Sequence, residues 1–167
     1  MNFLGVDIGG STRNGFAVVT DTDKLLYSGN IPFDRKGTKF EHRKKIISEI
    51  QRIVSEYNIQ AIGIERVKMH RGSNLSKLSG ITSLMKITTS ILDNFSDICE
   101  IKEFETVSWK SEVLGNRSAT KEDAVNFVKY TYRKEVPHDE ADAICEAIFL
   151  SRNYNREDTK MKDITFT

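Results

Sequence analysis

The N-terminal part of the chain carries three apolar runs, FLGVDI at Phe3–Ile8, GFAVVT at Gly15–Thr20 and LLYSGNI at Leu25–Ile31, separated by clusters of turn-forming residues. Short apolar runs bounded in this way predict strands. Connections this brief permit only hairpins, so the three strands are expected to pair antiparallel as one meander. From Thr38 to Tyr57 the period changes: Phe40, Ile46, Ile47, Ile50, Ile53, Val54 and Tyr57 recur at helical intervals with Lys, Arg and Glu between them. That spacing predicts an amphipathic helix. IQAIGIE, Ile59–Glu65, then reads as a strand ending in a carboxylate, and a second helical pattern follows from about Leu75 to Phe95. A further strand is expected over Ile98–Val107, with two shorter helical stretches beyond it. Three hairpin strands followed by alternating helix and strand predict an α/β fold with a mixed sheet and helices packed against it.

A chain of 167 residues suits one domain with a single core. Residues 1–154 are expected to form that domain and the polar stretch 155–167 a tail. With 38% apolar and 29% charged residues the composition is that of a folded soluble protein. No apolar run reaches the ~18 residues needed to cross a bilayer, and the N-terminus lacks the layout of a secretory signal, so a cytoplasmic protein is expected. Cys99 and Cys145 lie far apart with no CxxC or Cys/His cluster, which argues for reduced core thiols over zinc or redox chemistry. A net charge of +1 says nothing about a polyanionic partner; only the distribution of charge along the chain does.

Chemistry enters with the acids. Asp7 interrupts an apolar strand between Val6 and Ile8, where a charge is expensive to bury without a cation or hydrogen-bond donors. Taken alone it reads equally as an edge-strand residue or a cap for the turn at Gly9 and Gly10. Glu65 repeats the feature at the end of what should be an inner strand. HDEADAICEAIFL, His138–Leu150, is a helix pattern whose core stripe is Ala141, Ile144, Cys145 and Ile148, with Pro137 suited to the start. Asp139 and Asp142, three residues apart, project from one helix face at roughly 5–6 Å, with Glu146 a turn further on. Acids near a helix N-terminus are also favoured by the helix dipole, so this motif too has a structural account when read alone. Joint placement decides. Carboxylate oxygens without a His or Cys cluster suit Mg²⁺ or Mn²⁺, and four of them could hold two ions about 3.5–4 Å apart, an arrangement that serves phosphodiester hydrolysis.

Charge is also unevenly spread. From Arg66 to Leu92 there is no Asp or Glu, while Arg66, Lys68, Arg71, Lys77 and Lys86 are basic and His70 lies among them. A basic surface beside a metal site would neutralise phosphates and make binding strongly salt-dependent; a solvated loop and helix is the plainer account. Within the helix that follows, Leu75, Leu78, Ile81, Leu84, Met85, Ile87, Thr88, Ile91 and Leu92 spread round more of the circumference than one core face requires, which suggests burial against a second subunit, with thick packing on the sheet as the competing account.

GVDIGG, IGIE and DEADA, in this order and spacing over nearly the whole chain, resemble the RuvC-type Holliday junction resolvases of the RNase H-like superfamily. The resemblance implies an RNase H-like mixed sheet and Asp7, Glu65, Asp139 and Asp142 as ligands of two Mg²⁺ ions, with Mn²⁺ as a substitute. It further implies a homodimer and paired nicks in a four-way junction of nucleoid DNA, with no nucleotide cofactor and no membrane. WKSEVLGNRSATK, Trp109–Lys121, resembles the family segment carrying two functional lysines, here Lys110 and Lys121, implied to contact phosphate beside the scissile bond. Arg66, Lys68, Met69, Arg71 and Lys77 are the implied further DNA contacts. One departure stands out: where relatives place an aromatic residue that pushes into the junction centre, this chain has Lys68 followed by Met69.

Three other readings compete. DIGGST, Asp7–Thr12, looks like the first phosphate loop of actin and sugar-kinase folds, but 167 residues leave no room for that fold's second half. An RNase H-like nuclease acting on RNA/DNA hybrid or structured RNA would carry the same acids. A non-catalytic DNA-binding module would have no use for all four.

Overall fold

The computed structural model describes residues 1–9, 13–32, 36–67 and 75–156, with the side chains of 75–77 left aside. Its centre is a five-stranded sheet built from β1 (Asn2–Asp7), β2 (Arg13–Thr20), β3 (Leu25–Pro32), β4 (Ile59–Glu65) and β5 (Glu100–Phe104), in the order β3-β2-β1-β4-β5. β1, β2 and β3 pair antiparallel, as their short connections require. β4 and β5 run parallel to β1, each reached by a helical crossover, α1 (Lys39–Tyr57) and α2 (Leu75–Phe95). Thr38 caps α1 with a capping box to Glu41, which fixes where the chain turns from loop to helix.

β5 is shorter than the apolar run at Ile98–Val107 suggests, since Cys99 belongs to the turn after α2 and Thr106 already opens a helix. Three helices follow where the pattern indicates two: α3 (Thr106–Val113), α4 (Lys121–Tyr132) and α5 (His138–Asn153). α3 spans barely two turns, too few for an apolar stripe to stand out.

Alternation along the strands sends side chains to two separate cores. Leu4, Val6, Phe16, Val18, Ile62 and Ile64 face α1 and α2, where Ile46, Ile50, Ile53, Ile87, Ile91 and Phe95 cover them. Phe3, Ala17, Val19 and Ala61 face the other way, against α5 and, outside it, Trp109, Ala124 and Val128 of α3 and α4. The sheet is thus the middle of three layers. Cys99 and Cys145 are buried free thiols, one in each core.

Candidate active site

Parity places the first two acids. Asp7 follows Gly5 by two residues and Glu65 follows Gly63 by two, and Gly5 and Gly63 are partners in the parallel β1–β4 register. Asp7 and Glu65 therefore stand side by side at the carboxyl ends of adjacent strands, on the face covered by α5. On that face small residues let the helix settle onto the sheet. A Cβ at Gly5 would lie 2.3 Å from the Ala143 carbonyl oxygen, and one at Gly15, the β2 partner of Asp7, only 1.9 Å from that of Asp139. Backbone against backbone, α5 brings Asp139 and Asp142 over the strand ends.

The helix is anchored where it begins. Glu140 accepts hydrogen bonds from Ser28 (2.6 Å), Asn30 (3.2 Å) and Lys134 (2.9 Å), so a buried charge is fully met and the N-terminus of α5 is tied to β3. Although burial disfavours its charged form, Lys134, Ser28 and Asn30 outweigh it and hold the Glu140 carboxyl below its usual range.

The acids of the site are less well met. Asp139 is buried, with His138 Nε2 3.1 Å from its Oδ1, and its Oδ2 has no hydrogen-bond partner. Asp142 Oδ1 is likewise buried and unpartnered. Burial and then the negative charge of Glu65 raise the Asp142 carboxyl to about 6, against the pull of Lys110 and Lys121. Asp7 is raised well above its ordinary value by burial and by Asp142, Glu65 and Asp139, with Lys121 opposing. Glu65 differs: Trp109 Nε1 donates to its Oε1 at 2.6 Å and Thr106 Oγ1 to its Oε2 at 3.0 Å. These two residues of α3 fix the glutamate's orientation, and nothing in the local sequence signals either. Among the described residues no three His, Cys, Asp or Glu side chains close into a ready-made ion cage. Hard, partly desolvated oxygens with buried unpartnered lone pairs are nonetheless a donor set that suits a divalent cation.

Lys110 and Lys121 lie near enough to bear on Asp142. Lys110 Nζ is held by the Ala119 carbonyl at 2.7 Å, so the turn between α3 and α4 positions it, while Lys121 opens α4 just after the Thr120 cap. Arg66 lies at the end of β4, where it donates its backbone N–H to Phe104 and approaches Glu103 (3.8 Å) and Glu105 (3.5 Å). Lys68, Met69, His70 and Arg71, and the side chain of Lys77, lie outside the described residues. Asp7, Glu65, Arg66 and Thr106 line a cleft of about 250 Å³ with Ile81, Leu84 and Thr88 of α2. Lys86 of the same helix lines a second cleft, of about 440 Å³, with Lys39 and Arg43 of α1.

Residues 3–150 match the family model of the crossover junction endodeoxyribonuclease RuvC. The chain belongs to the RuvC family. Membership makes it a junction-resolving endonuclease, a class that depends on divalent metal. RuvC of Thermus thermophilus shares the fold with a TM-score of 0.72 at 17% identity, over 94% of this chain and 97% of that one. The Thermus thermophilus RuvC structure in complex with a Holliday junction substrate gives the same score and identity over 93% and 96%. The yeast mitochondrial Holliday junction resolvase Ydc2 follows with a TM-score of 0.58 at 12% identity, over 96% and 83%. Identities this low establish a common fold, the RNase H-like mixed sheet. No curated protein matches the sequence. Among the described residues no helix is long and apolar enough to cross a membrane.

Proposed function

We propose that this RuvC-family chain resolves four-way and related branched DNA junctions with Asp7, Glu65, Asp139 and Asp142 as the ligands of two Mg²⁺ ions, which Mn²⁺ can replace. The observation that carries the reading is the meeting of Asp7 and Glu65, from two parallel strand ends, with Asp139 and Asp142 of α5 above them. Orphaned buried oxygens on Asp139 and Asp142 support it, because such atoms are costly unless a cation or donor meets them. When bound, a pair of such ions lowers the pKa of an attacking water and stabilises charge on the leaving oxygen. The chain's own residues then orient. Trp109 and Thr106 hold Glu65, the Ala119 carbonyl holds Lys110, and Lys110 and Lys121 are the cations that meet phosphate beside the scissile bond.

In this reading Arg66, Lys68, Met69, Arg71 and Lys77 are further DNA contacts, and Lys39, Arg43 and Lys86 line a second, basic cleft between α1 and α2. Residues 1–154 act as one nuclease domain, and two copies paired through α2 deliver paired nicks. A cleavage panel of hybrid duplex, flap, fork and four-way junction in Mg²⁺, Mn²⁺ or Ca²⁺ tests the substrate. The expected result is junction cleavage in Mg²⁺ and Mn²⁺, with Asp7→Asn and Glu65→Gln reducing it to background while junction binding is kept. Undiminished nicking by either variant, or preferred cleavage of the hybrid, would refute the reading.

A further inference from the structure

Another carboxylate lies beneath the four. Glu146 occupies α5 one turn beyond Asp142, three residues from Ala143 and next to Ala147, the pair that packs on Gly5 of β1. It is fully buried at 0% exposure, and neither Oε1 nor Oε2 has a hydrogen-bond partner. Glu140 shows what a buried structural glutamate in this helix looks like, with Ser28, Asn30 and Lys134 all donating to it. Glu146 has no such set, although an unmet buried carboxyl costs far more than an apolar residue at the same position. Besides its burial, the charges that bear on it are Glu65, Asp7 and Asp142, and every one is an acid of the site. A wholly buried, unpartnered carboxyl beside three carboxylates is neutralised either by a proton, which its surroundings favour, or by a cation, and among the described residues no basic side chain bonds to it.

We propose that Glu146 is a fifth carboxylate of the cation site, offering oxygen from the core side and having its charge balanced by the bound ion. This rests on the metal-site reading above, and the two are separable by direct ion binding in the absence of DNA. Calorimetric titration of the full chain with Mn²⁺ should show Glu146→Gln weakened at least about tenfold, the size of effect seen when groups supporting a metal site are removed. Terbium emission gives a second readout. The chain's single tryptophan, Trp109, donates to Glu65 and would sensitise a lanthanide held among the acids. Loss of a ligand should lengthen the list of bound waters, seen as a larger lifetime difference between H₂O and D₂O. Glu146→Met, apolar and of similar volume, should fold at least as stably as the parent and lose affinity equally, which removes misfolding as a cause. Parental Mn²⁺ affinity in either Glu146 variant, alongside weakened binding by Asp7→Asn, overturns the proposal alone. Parental affinity in Asp7→Asn overturns the metal site and Glu146's part in it together.

Discussion

Asp142 stands in the folded chain at a cost, because burial and the neighbouring Glu65 make its charged form less favourable than in the unfolded chain. Its carboxyl is raised from 3.8 to about 6. Above that folded value the penalty is present in full; it fades as the pH falls and is gone below the unfolded value. Without divalent ions, stability should therefore decline as the pH rises from about 4 to about 6. Asp142→Asn should be the more stable protein at pH 8, by up to about 3 kcal/mol at roughly 1.4 kcal/mol per pKa unit. Thermal unfolding in chelator at both ends of that range checks this: a variant less stable than the parent at pH 8 would mean that Asp142 holds the fold together. That these acids stand out was legible in the sequence, because Asp7 and Glu65 break apolar strands and Asp139 and Asp142 share a helix face. Their environment was not. Thr106 and Trp109 reach Glu65 from 41 and 44 residues away, a distance at which neither strand parity nor helix period carries information.

At the level of elements, the site depends on how closely α5 can approach β1 and β2. Gly15 is the decisive seat, since any side chain there meets the Asp139 carbonyl, a backbone atom that cannot swing aside. Gly15→Ala should lift the start of α5, moving Asp139 and Asp142 away from Asp7. The expected cost is about 1–3 kcal/mol or more, as for other overpacked cores, with loss of Mn²⁺ binding at temperatures where the chain is still folded. Gly80→Ala serves as the contrast: it sits exposed in α2 with nothing within 4 Å of its added carbon, and should gain up to about 1 kcal/mol from helix propensity. Equal unfolding temperatures for the two variants would contradict this account of the seat. The meander, α1, β4 and α2 were readable because each is long or strongly periodic. α3 was not, being short and weakly patterned, yet it carries both groups that orient Glu65. The glycine seats escaped as well, because a strand glycine looks the same whether or not a helix lies on it.

For the whole molecule, α2 faces two ways. Ile87, Ile91 and Phe95 are buried in the core shared with α1, while Leu78, Met85 and Leu92 remain 39%, 48% and 38% exposed. With three large apolar side chains left in water among its described residues, α2 carries more apolar surface than its own core uses. The surplus lies beside the basic cleft of Lys39, Arg43 and Lys86 and on the helix whose Ile81, Leu84 and Thr88 wall the acidic cleft. Pairing two copies through this helix would set two sets of acids on one assembly, which is what symmetric nicking of a four-way junction requires. Sedimentation should accordingly report a dimer at micromolar concentration. Met85→Glu, which places a charge in the middle of the exposed stripe without touching the core, should shift the equilibrium to monomer by at least an order of magnitude in Kd. The same variant should convert paired cuts into single, uncoordinated nicks while leaving Mn²⁺ affinity per chain unchanged. A parent protein that sediments as a monomer yet cuts both strands in concert would show that the pairing of cuts has another origin.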